Sequence, residues 1–415
     1  MRAAALPCAL LALAAVSAQA AEVLIRDATV HTMTSAGVLE HTDILVRDGR
    51  IAELGTHLAA PAGAQVIEAA GRAVTPGLFG GLGRLGIEEI GEEPTVDDYA
   101  LKLGAMRPEF DVTLAFNSES AVIGVARLGG VTFAQLAPGS DAKGSSIVSG
   151  QGALVRTDGS VAANRALFVD LGGDANALSG GSRAAQYMLI EQALTEVREP
   201  KMILMNDQRL LTPAGRQTLA GYAAGKGRIV FNASRTADIR QVIRLAQKEK
   251  LAVAIRGGAE AWRVAPELAA ARIPVILDPL DDLPESFDTV GATLENAARL
   301  ERAGVTIAFS FDDPEPHNIR KLRQAAGIAV ANGLPHEAAL AALTRNPAEI
   351  FGVADKNGSL ARGRPADLVL WSGDPLEVTS LPDAVFVQGV PQQMRSRQTE
   401  LRDRYLPKLK AHNAR

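Results

Sequence analysis

The stretch that decides the fold reads Gly71-Arg72-Ala73-Val74-Thr75-Pro76-Gly77-Leu78 and continues as Phe79-Gly80-Gly81-Leu82-Gly83-Arg84. An apolar run ends at a Pro-Gly pair, and a second apolar run begins at once. Since proline and glycine interrupt regular structure, we expect the chain to leave one structural unit near Thr75 and to enter the next near Pro76. The run Leu78 to Leu82 is predicted to be the first strand of that second unit.

The segment before this boundary has the pattern of a small β module. Its β-branched runs are broken by turns, and Asp48-Gly49 is a strong signal for a two-residue hairpin because glycine accepts the positive φ of that turn. A similar module near the C-terminus ends in a Gln388-Gly389 turn. Neither module has enough strands to bury two faces alone, so we expect both to pair into one composite β-sandwich.

Between these modules, apolar runs alternate with alanine-rich helical segments. The runs are Leu78 to Leu82, Val131 to Leu136, Leu167 to Leu171, Met202 to Met205, Ile229 to Phe231, Leu251 to Ile255, Pro274 to Leu277 and Val305 to Phe309. Eight strands in this alternation predict an α/β fold, a (β/α)8 TIM-like barrel, with an open doubly wound sheet as the alternative. The stretches 88–117 and 138–159 are predicted to be insertions or long loops.

The N-terminus is typical of a secretory signal peptide. Arg2 precedes an apolar run from Ala3 to Val16, and Ala18-Gln19-Ala20 forms a small-residue cleavage site. A buried N-terminal helix is the alternative. We therefore expect an exported protein, periplasmic or secreted. The only cysteine, Cys8, lies inside this signal, so the mature chain would have no thiol for disulfides or zinc.

Composition and charge exclude several classes of protein. With 47% hydrophobic and 22% charged residues, the sequence is typical of a globular protein and not of a disordered or collagen-like one. A formal net charge of -4 without a block of Lys and Arg argues against a nucleic-acid partner. No run after the signal is long enough to predict a membrane span. The predicted organisation is a signal peptide at 1–20, sandwich segments at 21–75 and 356–394, a barrel at 76–355, and a helical tail at 395–415.

The two ends of the chain carry a resemblance to a known family. The runs Val23 to Val30, Asp48 to Ile51 and Gly71 to Leu78 resemble the opening of the amidohydrolase superfamily, especially its imidazolonepropionase-like and dihydroorotase-like members. Asn346-Pro347-Ala348, Gly358 to Gly363, Ala366 to Val369 and Ser372 to Pro375 are similar to its C-terminal return. The resemblance implies a barrel flanked by a composite sandwich, and hydrolysis of C–N bonds by a metal-activated water, with zinc as the usual metal.

At the family's metal ligands the sequence departs from the pattern. Leu82 and Arg84 occupy the two His-x-His positions, Asn232 stands where a histidine is expected, and the strand ending at Arg256 lacks its histidine. A guanidinium repels a dication, and leucine has no lone pair. Only Asp312 matches a metal-binding position, where the family's aspartate often also serves as general base. We expect no metal or a single weakly held one, with Asp312 as its ligand.

The remaining polar residues near the predicted barrel mouth define the candidate site. Arg84, Arg256, Asp312, Asp313 and His317 are expected to form a cluster there. One interpretation is an ion-pair network in which Arg84 neutralises Asp312; another is a site whose guanidinium groups bind a carboxylate-bearing ligand. The predicted ligand-binding residues are Asn232, Ser234, Arg256 and Glu88.

Two functions from different classes follow. The first is a non-catalytic or weakly active homologue that binds a small polar ligand or an active amidohydrolase paralogue, as a homo- or hetero-oligomer. The second is an active hydrolase with a rebuilt site, in which Asp312 is the base, His317 a ligand or acid, and Arg84 the electrophile. A purely structural interaction barrel is a third possibility. The sequence does not distinguish the substrate, the partner or the oligomeric state.

Two short motifs carry less weight. Residues Gly81 to Gly86 fit the dinucleotide pattern G-x-G-x-x-G, but the segment that follows is acidic and broken by Pro94, which is unsuitable for a pyrophosphate. Ser140 to Lys143 fits the Ser-x-x-Lys pattern of penicillin-recognising hydrolases, yet it lies among Pro138, Gly139 and Gly144, where the helix that the pattern needs is not expected.

Overall fold

A computed structural model describes residues 22–91, 93–140, 145–199, 209–311 and 315–413 of the chain. The predicted signal peptide, the predicted strand Met202 to Met205 and the residues Asp312 and Asp313 lie outside these ranges. None of the helices in the described ranges is long and apolar enough to cross a lipid bilayer.

The strands of the described residues form two sheets. In chain order they are β1 (Val23–His31), β2 (Val38–Arg47), β3 (Arg50–Gly55), β4 (Gln65–Glu68), β5 (Ala73–Pro76), β6 (Leu78–Gly83), β7 (Val131–Leu136), β8 (Val148–Arg156), β9 (Val161–Asp170), β10 (Arg228–Ala233), β11 (Val253–Gly257), β12 (Val275–Leu277), β13 (Ile307–Phe309), β14 (Leu368–Trp371), β15 (Pro382–Val387) and β16 (Val390–Pro391).

Most of the helices pack around the outside of the second sheet, and the last one forms the C-terminal tail. They are α1 (Ala121–Arg127), α2 (Arg183–Arg198), α3 (Pro213–Ala223), α4 (Thr236–Glu249), α5 (Ala265–Ala271), α6 (Asn296–Arg302), α7 (Leu322–Ala331), α8 (His336–Ala342), α9 (Arg345–Ile350) and α10 (Arg397–Asn413). Short 3-10 helices span Pro94–Val96, Val112–Ala115, Asp174–Ser179, Ala261–Val264 and Asn318–Lys321.

The first sheet joins the two ends of the chain. Its order is β16-β15-β14-β5-β1-β2-β3, with β4 also paired to β1, and the antiparallel pairing of β14 with β5 connects the C-terminal strands to the N-terminal ones. Both predicted hairpin turns form: Asp48 and Gly49 have φ of 50° and 76°, and Gln388 and Gly389 have φ of 51° and 74°. We call this the terminal sheet. The two-layer sandwich stays a prediction.

The second sheet is a nearly closed barrel. Its strands run in the order β6 to β13 around the molecule, and all neighbours are parallel except at β8, which is antiparallel to both β7 and β9. The ends of the sheet meet where the backbone N–H of Leu82 in β6 donates to the Ser310 hydroxyl, just past β13, at 2.9 Å. This arrangement is a mixed α/β barrel and not an open doubly wound sheet.

The expectation that residues 138–159 form an irregular loop is wrong for β8. Its glycines are required by close packing and not by a turn, since a Cβ atom at Gly152 would lie 2.1 Å from the Leu136 carbonyl oxygen, and Gly150 has a φ of +121°. Strand β9 pairs directly with β10. Strand β8 is thus one of the eight described strands of this sheet.

The inner face of the barrel is an apolar layer. Its buried side chains include Phe79, Leu82, Phe133, Phe168, Val230, Ala254, Ile276 and Ala308, with Ile350 and Phe351 at and just after the end of α9. Because side chains alternate along a strand, the residue two positions beyond each of these faces the same interior. Those residues are Asp170, Asn232 and Arg256 within β9, β10 and β11, and Asp278 and Ser310 directly after β12 and β13. The sequence pattern thus places polar groups at the carboxyl end of the barrel.

Trp371 fixes the terminal sheet against the barrel. Its ring is fully buried and its Nε1 donates to the Thr75 hydroxyl at 2.9 Å, which ties β14 to β5. The ring also lies against Gly130, immediately before β7, where a Cβ atom would be 2.6 Å from the Trp371 Cη2 atom. Gly130 therefore allows the close approach of the two sheets.

We expect Gly130→Ala to destabilise the protein more than Gly304→Ala. The two glycines have φ of +80° and +82°, but a Cβ atom at Gly304 would have no neighbour within 4 Å. The backbone strain, about 1 kcal/mol, is then common to both variants, and overpacking adds roughly 1–3 kcal/mol at Gly130 alone. Urea denaturation measures the difference; equal losses would contradict the packing role given to Trp371.

Candidate functional site

A row of polar side chains crosses three neighbouring strands at the barrel mouth. Asn232 of β10 is in register with Asp170 of β9 on one side and with Arg256 of β11 on the other. The Asn232 amide Nδ2 donates to the Asp170 carboxylate at 3.4 Å, and all three residues are half-buried. The carboxyl ends of barrel strands are where such folds carry their sites. Asn232 and Arg256 were predicted from the sequence.

Asp170 was missed by the sequence analysis. Its Oδ2 accepts hydrogen bonds from two hydroxyls, those of Ser140 after β7 and of Ser149 in β8. Ser140 thus holds a carboxylate at the mouth, and the rest of its Ser-x-x-Lys motif lies outside the described residues. The signal that could have found Asp170 is its place at the end of an apolar strand, aligned with Asn232, where an inward-facing carboxylate is unusual.

Arg256 is the cation of this row, and its guanidinium has no partner among the described residues. In the part of the chain that the structure describes, its guanidinium makes no hydrogen bond and no ion pair, although the residue is half-buried. A guanidinium has five donors, and a half-buried one is normally paired. Arg256 can therefore accept an incoming acidic group without first losing a partner among the described residues.

Ser234 lies beside the row, in the turn after β10. A Cβ atom at Gly257, whose φ is +80°, would lie 2.8 Å from the Ser234 hydroxyl oxygen. The backbone carbonyl oxygen of Ser234 accepts a hydrogen bond from the N–H of Glu260 at 3.0 Å. Ser234 therefore lies against the end of β11, next in sequence to Arg256 at Gly257.

Arg84 is engaged locally. Its Nη1 donates to the Glu88 carboxylate at 2.7 Å, and its guanidinium carbon lies 3.2 Å from the centre of the Tyr99 ring. Glu88 is only 3% exposed. One turn of backbone brings the two together, since the N–H groups of Ile87 and Glu88 both donate to the Arg84 carbonyl. The described partner of Arg84 is thus Glu88, and the predicted pair of Arg84 with Asp312 stays a prediction.

His317 lies beside Glu315, in the segment that follows β13. Its side chain is 52% exposed and its Nδ1 is 3.6 Å from the Glu315 carboxylate. Glu315 packs against Gly91, in the segment that follows β6. The structure therefore gives Arg84 and His317 different carboxylates, and within the described residues it does not join Arg84, Arg256 and His317 in one hydrogen-bonded cluster.

The described residues do not fit the two-metal site that the family resemblance implies. Leu82 faces the apolar interior, and Arg256 brings a positive charge to the strand ends. Across the described ranges, no three His, Cys, Asp or Glu side chains are grouped closely enough to hold a metal ion. The histidines His31 and His336 instead bind Glu337 and Asp374, at 2.8 and 3.1 Å, away from the mouth, where they join β1 to α8. Asp312 stays the one predicted ligand.

Comparison with known proteins identifies the family of the C-terminal part. Residues 231–393 match the model of the Amidohydrolase family. They carry an Amidohydrolase family domain. This segment includes the second half of β10, all of β11 to β13 and the return of the chain into the terminal sheet, and it covers less than half of the 415 residues.

Individual relatives agree with that match. A 114-residue segment is 40% identical to Amidohydrolase tasK of Hapsidospora irregularis, over 25% of this chain and 11% of that protein. A 95-residue segment is 40% identical to the imidazolonepropionase of Aromatoleum aromaticum, over 22% of this chain and 23% of that protein. The alignments thus span less than a quarter of either relative.

A solved structure covers much more of the chain. The crystal structure of an amidohydrolase from Thermotoga maritima MSB8 superposes with a TM-score of 0.80 at 27% identity, over 90% of this chain and all of that one. The barrel with its terminal sheet is therefore an arrangement shared with structures of the amidohydrolase superfamily.

The ion pair of Arg84 with Glu88 predicts a large cost for Arg84→Met. Losing one partner leaves a buried carboxylate unpaired, which should lower the free energy of unfolding by about 3–5 kcal/mol. The double variant Arg84→Met with Glu88→Leu should recover most of that loss, because it removes both charges. Urea denaturation measures all of these variants.

Arg299→Met is the matched control for Arg84→Met. Arg299 also pairs with a glutamate four residues away, Glu295, at 2.7 Å, and also lies over an aromatic ring, but 35% and 57% of these two side chains are exposed. Its loss should cost about 1 kcal/mol or less. A similar cost in both single variants would contradict a structural role for the buried pair.

Proposed function

We propose that this chain is an exported amidohydrolase-family protein whose barrel mouth binds a small carboxylate-bearing ligand, with little or no turnover. The observation that carries the proposal is the open guanidinium of Arg256, aligned with Asn232 and Asp170 at the strand ends where this fold holds its sites. A guanidinium binds a carboxylate through two parallel hydrogen bonds, which selects for that group by shape as well as by charge.

Asn232 gives the site a second kind of recognition. Its Nδ2 donates to Asp170, and its side-chain carbonyl oxygen, beside Gly257, has no donor among the described residues and is available as an acceptor. An acceptor beside a guanidinium is suited to an N–H group next to a carboxylate. An N-acylated amino acid or a cyclic amide with a free carboxylate carries both groups. This is the class of C–N compound that we expect the mouth to take.

We expect N-acetylated amino acids to bind more tightly than their uncharged carboxamides. A hydrogen bond to a charged group is worth about 1.5–3 kcal/mol, which corresponds to roughly 10- to 150-fold in Kd. Calorimetric titration of a panel of acid and amide pairs, differing in side chain, measures this ratio. If no acid in the panel binds better than its amide, the proposed ligand class is wrong.

Arg256→Gln should remove the preference for the acid. The control is Arg240→Gln, which removes the same charge from the exposed face of α4, where Arg240 pairs with Glu267 at 2.8 Å. Arg240→Gln should bind the acids as the unchanged protein does. An acid preference that survives in Arg256→Gln would place the carboxylate elsewhere.

Little or no turnover is expected because the protein should hold little of the metal that activates water in this family. We expect protein purified without chelators to contain zinc well below one equivalent, because leucine and arginine stand at two positions that need lone pairs. Elemental analysis measures this directly. Stoichiometric zinc, together with chelator-sensitive hydrolysis of an acylated amino acid or cyclic amide, would overturn the proposal.

A second candidate function is hydrolysis by a rebuilt site. Its support is the Amidohydrolase family match over β10 to β13 and the shared fold of the Thermotoga maritima amidohydrolase. Asp312 would act as general base, with His317 as acid or ligand. Asp312→Asn should then abolish turnover while the urea midpoint stays unchanged. His412→Gln, in the C-terminal tail, is the control; turnover that persists in Asp312→Asn would eliminate this function.

The partner and the compartment are also proposals. Export rests on the N-terminal sequence. Pairing with an active paralogue rests on the unusual ligand positions, since a barrel that binds but does not hydrolyse can serve as a regulatory subunit. Co-purification of a second amidohydrolase-family chain from the native organism would support this pairing.

A further inference from the structure

A cavity lies on the side of the barrel away from the mouth. Its volume is about 410 Å³, and its walls come from the end of β8, the start of β9, the segment after α9 and the edge of the terminal sheet. Since β8 is antiparallel to its neighbours, its last residue, Arg156, lies where the parallel strands begin. We call this the lower cavity. It shares no lining residue with the row at the mouth.

Three cations line the lower cavity. Arg156 is buried, with 9% of its side chain exposed, whereas Arg50 and Lys356 are exposed at the rim. Lys356 makes no ion pair with any described residue, and the Nε of Arg156 has no hydrogen-bond partner among them. Arg50 uses its Nη1 in a hydrogen bond to the Gly363 carbonyl oxygen at 2.7 Å. One carboxylate, that of Asp355, also lies in the wall. Because the Arg156 charge is paired with Asp367 behind the wall, Arg50 and Lys356 against Asp355 leave the lining with one positive charge in excess.

Arg156 is held in place from behind. Its Nη2 donates to the Asp367 carboxylate, which also accepts the Asn357 amide at 3.1 Å and the backbone N–H of Gln388 at 2.5 Å. Burial raises the pKa of Asp367, and the Arg156 guanidinium opposes that rise. The Asp367 network thus fixes the guanidinium of Arg156 in position, so ligand binding would not have to order this side chain.

A neighbouring cavity of about 300 Å³ is lined by arginines that are already bonded. Arg165 donates to Asp111 at 2.8 Å, and Arg228 donates to the carbonyl oxygens of Ile350 and Val253 at 2.8 and 2.7 Å. Those guanidinium groups serve the fold. The lower cavity differs because part of its positive charge is not used within the described chain.

We propose that the lower cavity is a binding site for a small organic oxyanion, a molecule with a phosphate or carboxylate group that contacts Arg156, Arg50 and Lys356. Arginine supplies planar paired donors and lysine a compact charge, which together suit an oxyanion better than a neutral ligand. The cavity volume is within the usual range for small-molecule sites. This site is separate from the ligand site proposed at the mouth.

Calorimetric titration of the full-length protein tests the site. The two probes are inorganic phosphate and succinate, which tell the two oxyanion chemistries apart. Both are titrated into the Arg256→Gln protein, which lacks the guanidinium proposed to bind a carboxylate at the mouth. We expect at least one to bind with one-to-one stoichiometry and a Kd of about 1 mM or lower. Lys356→Gln and Arg50→Gln should each weaken that binding by about tenfold. These rim variants avoid Arg156, whose removal would leave Asp367 buried without its counter-ion.

Two controls make the outcome specific. Lys248→Gln removes the same charge from the exposed end of α4, where Lys248 pairs with Glu191 at 2.9 Å, and should leave the binding unchanged. The Arg256→Gln background excludes the carboxylate site proposed at the mouth from the measurement. The proposal is overturned if neither probe binds to the Arg256→Gln protein, or if both rim variants in that background bind as tightly as it does.

Discussion

The closure of the barrel at Ser310 is the constraint on which the candidate site depends. The Ser310 hydroxyl accepts the Leu82 N–H at 2.9 Å and lies 3.3 Å from the Leu82 carbonyl, so the last strand is joined to the first through a side chain. Gly81, with φ of +85°, makes room for it, since a Cβ atom there would lie 3.0 Å from the hydroxyl. Leu82, which stands where the family resemblance puts an imidazole, thus closes the barrel with its backbone and fills it with its side chain.

Once the barrel closes, the period of two along each strand decides what reaches the mouth. The apolar layer at Phe168, Val230 and Ala254 is followed two residues later by Asp170, Asn232 and Arg256. The Asp170 carboxylate accepts hydrogen bonds from two hydroxyls, and Arg84 pairs with Glu88. Arg256 has no ion pair among the described residues, so its guanidinium would repel a dication placed beside it and attract an anionic ligand.

The sequence predicts the apolar strands and helices well because buried positions recur with a regular spacing along each element. It does not predict β8, since the glycines at Gly150 and Gly152 erase the alternation while serving close packing. The positions of Asn232 and Arg256 at strand ends follow from the apolar runs before them. The contacts of Arg84 do not follow from the sequence. Glu88 reaches Arg84 because the backbone turns between them, and the sequence did not predict that turn.

The antiparallel strand also explains why the molecule has polar groups at both ends of the barrel. In a barrel of parallel strands, the carboxyl ends all lie at the mouth, and the opposite end serves stability. Because β8 runs the other way, it presents Ser149 near its start to the mouth and Arg156 at its end to the lower cavity. Arg156 then meets Asp367, next to β14, which joins the barrel to the terminal sheet. The lower cavity therefore exists because one reversed strand carries a cation to the face where the two sheets meet.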